Sequence, residues 1–357
     1  MTEKDFLCYH PTVYVVGDKY EIMFKTQEAG AAWILIDGVR YTDNFGGVVR
    51  SASTTHKIYV KQEILDKAKK YTVVLAILPE RPAYFPKTSE YFEKEYSFRP
   101  LPDGVIHAYM LADTHSWIDE PARAAGFFGD GNLDLLILGG DNGNTADDEN
   151  SVLTMAKIAA IVAKGEIPVV YMRGNHDTRG AYAELLSEYV GTDGGKPYFT
   201  LKLGRIGGMV LDGGEDKLDT HEAYGDIADY TEFREQQLEF IKNARLDGEV
   251  KLVLCHVPFA SFDTPFNEVF AKWTEALNEK GIDLMLAGHR HGLFMFGKGE
   301  SDATGVEANF PVCVGSNINK HVVGTYVGTA IVISKDEIDL KFTDCDHNIL
   351  EEHKVKL

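Results

Sequence analysis

Thiols, basic residues and long apolar runs are all scarce in this chain. Its four cysteines, Cys8, Cys255, Cys313 and Cys345, lie far apart, and no two form a C-x-x-C pair. They read as free thiols of a reducing compartment. Lys and Arg number 36 against 55 Asp and Glu, a formal net charge of −19. That deficit argues against a general affinity for nucleic-acid backbone, so no duplex nucleic acid is expected as a partner. It equally disfavours docking on an anionic membrane. No apolar run approaches the ~20 residues of a membrane span. The opening "MTEKDFLCYHP" lacks a basic start followed by an apolar stretch, so no secretory signal is read and a cytoplasmic setting is expected. What the chain does have is ordinary globular composition, 44% hydrophobic and 25% charged, over 357 residues. That is ample for a core, and the length suggests two or three domains.

The texture changes near residue 100. Before it, "TVYVVGD", "YEIMFKT", "AAWILIDG", "GVVRSAS", "HKIYVK" and "YTVVLAILPE" are short, β-branched or aromatic, and separated in several places by Gly, Asp and Asn. Such spacing predicts a small all-β sandwich of the immunoglobulin or fibronectin kind over 1–100, with "EILDKAKK" as a short helix or loop. "FRPLPDG" then sets Pro100, Pro102 and Gly104 in a row, which reads as a linker, so a second domain is expected over 104–357. There, "VIHAYMLAD", "LDLLILGGD", "IPVVYMRG", "VKLVLCH" and "IDLMLAGH" are near-continuous apolar runs suited to strands covered on both faces. Between them, "SVLTMAKIAAIVAKG" predicts a helix capped by Ser151 and stopped at Gly165. "YTEFREQQLEFIKNARL" has helical apolar spacing. "TPFNEVFAKWTEALNEKG" predicts a helix with Thr264 as N-cap, Pro265 at the first position and Gly281 as stop.

Each of the five apolar runs ends in the same kind of chemistry. Asp113-Thr114-His115 follows the first, Asp141 the second, Asn175-His176-Asp177 the third, His256 the fourth, and His289 and His291 the fifth. Taken singly these have ordinary readings: an Asx turn, a Gly-Asp turn, a satisfied histidine. Their coincidence at five strand ends, in an α/β sheet that binds ligands beyond its carboxyl edge, points to a site. Carboxylates, an amide and five imidazoles together suit Zn, Mn or Fe without any thiolate. They exceed what one ion needs, and two ions roughly 3.5–4 Å apart would use them all.

The ordered blocks D-x-H, G-D, G-N-H-D, H and G-H-x-H, spread over residues 104–300, resemble the calcineurin-like metallophosphoesterase superfamily. The resemblance implies an α/β fold, a four-layer α/β/β/α sandwich with a dimetal centre at the strand ends, here preceded by the β region. It implies that Asp113, His115 and His291 bind one metal. Asn175, His256 and His289 would bind the other, with Asp141 bridging. His176 would stand beside the leaving group as proton donor or charge stabiliser, with Asp177 orienting its ring. The reaction implied is hydrolysis of a small phosphoester, diester or monoester, by a hydroxide bridging the two ions, with acid catalysis typically worth ~10²–10⁴-fold. One position departs from the pattern. Asn144 stands three residues after Asp141, where many members have an acidic or Tyr residue and where a Tyr binds ferric iron in purple acid phosphatases. The β region resembles theirs in position and size, but the missing Tyr disfavours a tyrosinate–iron centre. Mn or Fe(II) is expected, with Zn as the alternative.

Beyond the blocks, Arg179 is a candidate for the substrate phosphate, as is Arg123, and His221 and Tyr224 lie in a long segment that suits a specificity loop. His10, His56, His107, His321, His347 and His353 read as structural or surface residues. Two other readings compete: a nuclease, and a catalytically silent or highly selective binding protein that recognises a partner through residues 1–100.

Overall fold

The computed structural model describes residues 5–301, 303–318, 322 and 324–357. Two sheets dominate the fold. In the first, Ile106–Leu111, Leu135–Leu138 and Pro168–Tyr171 run parallel. The C-terminal strands Val327–Ile333, Glu337–Asp344 and Ile349–Lys356 extend it antiparallel on one side. In the second, Ile206–Leu211, Val250–Cys255, Leu284–Ala287 and Val312–Gly315 are parallel, with Phe199–Leu203 and Leu293–Phe296 as antiparallel edges.

The period-2 alternation of these strands builds three packed layers of side chains. Met110, Ile137 and Val170 from the first sheet meet Val210, Leu254 and Leu286 from the second in the central core. The alternate residues Leu111, Leu138 and Tyr171 turn outward onto the helix Thr154–Val162. Leu211, Cys255 and Ala287 turn outward onto Tyr230–Asn243 and Asn267–Asn278. Helix, sheet, sheet and helix thus form the four layers that the family resemblance implies. Among the described residues no helix is long and apolar enough to cross a membrane.

Residues 12–97 are β-rich and join the same framework. Thr12–Val16 pairs in parallel with Pro168–Tyr171, so the first sheet continues into the N-terminal region. The two expected strands at 20–26 and 31–38 are one 18-residue strand, Lys19–Ile36. Its first half pairs with Ser53–Lys61 and its second half with Lys70–Ile77, with a register break between Lys25 and Gly30. A strand that changes partners at a break bends there. Gly30 is required there, because a Cβ would lie 2.5 Å from the Ala76 carbonyl oxygen. The expected strand "GVVRSAS" is instead a two-residue arm, Val48–Val49, of a minimal hairpin.

Two helix starts also differ from expectation. Asp148, not Ser151, caps the first turn, accepting from the Ser151 N–H at 2.8 Å. A carboxylate three residues upstream reaches that orphan donor, which a serine inside the turn does not. The last helix begins at Asn267 because Thr264 uses its hydroxyl to accept from Phe266 in a preceding turn.

Candidate metal centre

The carboxyl ends of the parallel strands of both sheets meet at one edge, and the predicted residues converge there. Asp113, His115 and His291 form one group whose ligand atoms lie within 4.8 Å of one another, and Asp141, His256 and His289 form a second. The groups adjoin: His256 Nε2 is 3.2 Å from Asp141 Oδ2 and 3.9 Å from Asp113 Oδ1. Asn175 completes the second group, its Oδ1 2.9 Å from His289 Nδ1. Asp113, Asp141, Asn175 and His256 are all buried.

The backbone is bent to deliver them. Asp113, His115, Asp141, His289 and His291 all have φ between 44° and 72°. A non-glycine residue held there costs on the order of 1–3 kcal/mol, and such residues gather at functional sites. Glycines allow the close approach. A Cβ on Gly174 would sit 2.2 Å from Asp141 Oδ1, and one on Gly140 would sit 2.5 Å from His256 Nδ1.

The donor set fits cations. Asp113 Oδ1 and His256 Nε2 are buried and have no hydrogen-bond partner among the described residues. His115 Nε2 and His291 Nε2 face each other at 3.3 Å. Among the described residues the ion-pair partners of Asp113 and Asp141 are histidines, with no Lys or Arg. Two buried carboxylates need compensating positive charge. Burial alone would lower the His256 imidazole, but Asp141 and Asp113 outweigh it and raise it to about 10. His289 is lowered to about 4, by burial first and then by the His256 charge. The edge of the sheets is therefore a strong trap for positive charge.

Surrounding groups fix which ring nitrogens face inward. His256 Nδ1 bonds the Gly139 carbonyl at 2.7 Å and His291 Nδ1 the Asn317 carbonyl at 2.8 Å, which leaves both Nε2 atoms for the centre. Ser316 donates to Asp113 Oδ2 and accepts from the His291 N–H at 3.0 Å. The sequence reading missed Ser316. Its signal was available, since "FPVCVGS" is another apolar run with a polar residue at its end.

Asp177 is placed differently from expectation. It does not touch the His176 ring. Its carboxylate accepts from the N–H groups of Gly174, Asp141 and Gly143 at 2.9, 3.1 and 3.3 Å and from the Tyr171 hydroxyl at 3.1 Å. A buried carboxylate with several backbone donors within reach satisfies them before it reaches a neighbouring ring. Burial and then the Asp141 charge raise it to about 7. The His176 ring is instead held by the Asn144 carbonyl, 2.8 Å from Nδ1. Asn144 thus contributes through its backbone.

Arg179 reaches this corner. Its Nη1 is 3.0 Å from His176 Nε2, and its guanidinium is gripped by Glu215 through two contacts of 2.6 and 2.8 Å. Glu215 is itself buried. The wholly buried Arg234 secures it, donating to the Gly213 and Glu215 carbonyls. Tyr224 stands at the edge of the same group, accepting from the Lys217 N–H at 3.1 Å, whereas His221 is exposed and only caps its own turn. Arg123 is taken up by the Cys345 carbonyl at 2.9 Å. His56 is buried against Asp43, while His107, His347 and His353 pair with Asp134, the Arg123 carbonyl and Glu351. His10 is exposed beside Tyr96. His321 lies outside the described residues.

The family model for calcineurin-like phosphoesterases matches residues 106–293, more than half of the chain. This chain belongs to that family. No curated protein sequence matches it. Among solved structures, purple acid phosphatase PPD1 from yellow lupin (Lupinus luteus) seeds is similar over 98% of this chain and 74% of its own, at 10% identity and a TM-score of 0.59. A dimetal phosphatase from Danio rerio aligns over 71% of this chain and 99% of its own, at 12% identity and a TM-score of 0.48. The lupin likeness shows the fold: the metallophosphoesterase architecture with a β region ahead of it, as expected from the sequence.

Proposed function

We propose that this family member hydrolyses a small phosphoester, monoester or diester, at a dimetal centre. The observation that carries the reading is the pair of adjoining ligand groups with orphaned inward atoms. In this reading Asp113, His115 and His291 would hold one cation, Asn175, His256 and His289 would hold the other, and Asp141 would be shared between them. The oxygen and nitrogen donors, without thiolate or tyrosinate, support Mn or Fe, with Zn as the alternative. When bound, two such cations activate water near neutral pH and neutralise phosphoryl charge.

The chain's own residues do the rest. Asp177 ties the loops carrying Asp141 and Asn175 to one another. His176 Nδ1 donates to the Asn144 carbonyl, and its Nε2 accepts from Arg179, so the ring is neutral in this arrangement. That supports Arg179 as the group that offsets charge on the substrate, with His176 orienting it, over His176 as proton donor. The continuity of sheet and core supports residues 1–100 as a rigid β support for the 104–357 domain.

The test is initial rates on p-nitrophenyl phosphate and its bis-ester, with added Mn²⁺, after chelation, and with Asp141→Asn protein. Metal-dependent turnover lost in the variant is expected. Turnover that survives both chelation and the substitution would overturn the reading.

A further inference from the structure

Two recesses flank the centre. One of about 400 Å³ opens on the Asp113 and His115 side and is lined by polar groups and Trp117. The other, of about 140 Å³, opens beside His289. Its walls include Val257, Pro258, Phe262 and Phe266.

These walls are built by the segments that deliver the imidazoles. Residues 257–266 follow His256, and Arg290 sits between His289 and His291. The half-buried Phe262 ring carries the Arg290 guanidinium 4.4 Å from its centroid. It packs edge-on against Phe294 and Phe296 at 5.2 and 5.6 Å. Phe266 is pinned from behind by Arg234, 3.4 Å from its centroid. Glu215, which grips Arg179 against His176, also lines the recess. The recess, part aromatic and part polar, and the Arg179–His176 corner therefore share a wall.

Size and charge narrow what fits. A cavity of roughly 150 Å³ holds one benzene ring, so the 140 Å³ of this open recess matches a single ring and seats only part of a fused one. Glu215 is taken up by Arg179 and Asp216 by Lys217, which leaves Asp263 against Arg290 on the lining, a balance that gives no net pull to a second anionic group on the ester. We propose that this recess receives the ester group of the substrate and selects a single uncharged aromatic ring, with Phe262 as the specificity-determining residue. The inference rests on the phosphoesterase reading of the centre.

Phenylphosphonate and methylphosphonate share a head group and resist hydrolysis. Their affinities for Mn²⁺-loaded protein, measured by calorimetry, report on the recess without turnover. Phenylphosphonate is expected to bind at least ~10-fold more tightly than methylphosphonate, and 1-naphthylphosphonate is expected to lose that advantage. Phe262→Ala should abolish the phenyl preference and Phe262→Leu should reduce it, with thermal melts confirming that both variants fold. Equal affinities in the native protein, no binding of either ligand, or a preference that survives both substitutions would overturn the inference. Turnover of p-nitrophenyl phosphate by the same preparation separates the two readings. Turnover without phenyl preference leaves the centre standing and removes the recess; phenyl-selective binding without turnover does the reverse.

Discussion

The two sheets bring different chemistry to their shared edge. The first contributes Asp113, Asp141 and Asn175, mainly oxygen donors, together with His115. The second contributes only imidazoles, His256, His289 and His291. Each ligand group draws on both: Asp113 and His115 meet His291, and Asp141 meets His256 and His289. Neither sheet holds a complete set. The acidic half by itself would be a repulsive pair of buried carboxylates, and the imidazole half would lack charge to hold a cation. Packing the sheets through their common apolar core therefore assembles the site, and the site's polarity in turn depends on that packing.

Asp141 is where the oxygen donors of the first sheet meet two imidazoles of the second. Asp141→Asn should lower metal-dependent turnover by ~10²-fold or more, and metal content measured by elemental analysis should fall below two per chain. Retained content with normal rates would mean that the halves work independently. Gly174→Ala attacks the same point without touching a donor atom. Its Cβ would fall 2.2 Å from Asp141 Oδ1 and 2.3 Å from Asp141 N, so turnover should drop nearly as far while circular dichroism stays native. Normal turnover would show that the loop yields. Ser316→Ala removes the hydroxyl that joins Asp113 of the first sheet to His291 of the second. Metal affinity should weaken by ~10–100-fold, and a metal titration would read it.

The smallest effect is expected where the N-terminal β region meets the rest of the chain, at Glu149. Glu149 accepts from Lys25 at 2.8 Å and from Tyr189 at 3.2 Å. Burial would raise its carboxyl, but the Lys25 contact and the other donors outweigh burial and hold it below the usual range. A depressed carboxylate stabilises the fold above its unfolded pKa, and that contribution is lost as pH falls through the folded value. Glu149→Gln should cost about 1 kcal/mol near neutral pH, and less in acid, with turnover unchanged. Urea melts at two pH values, beside rates, would check it. A loss of activity would make this junction part of the catalytic apparatus.

The strands bearing Asp113, Asp141, Asn175, His256 and His289 were legible because burial on both faces writes a continuous apolar run, and each run stops at its functional group. The strand before Ser316 carries the same signal in "FPVCVGS" and was overlooked. The edge strand Phe199–Leu203 lacks such a run, since an edge has one partner and less burial and its residues alternate between buried and less buried. The Glu215–Arg179 clamp was not legible, because 36 residues separate the two groups and no local pattern links them. Asp177 was misassigned for a related reason: adjacency in sequence to His176 suggested a contact, whereas the nearest donors in space are backbone N–H groups of three other residues.

By itself the sequence determined the layered α/β class, the order of the strands' functional ends and the identity of the donors, since each depends on a local period or a short motif. Tertiary structure alone decided which ring nitrogens face inward, that Arg179 rather than Asp177 meets His176, and that a recess with aromatic walls opens beside His289. Each of these is a contact between segments far apart in the chain, set by the packing of two sheets and not by the residues next door.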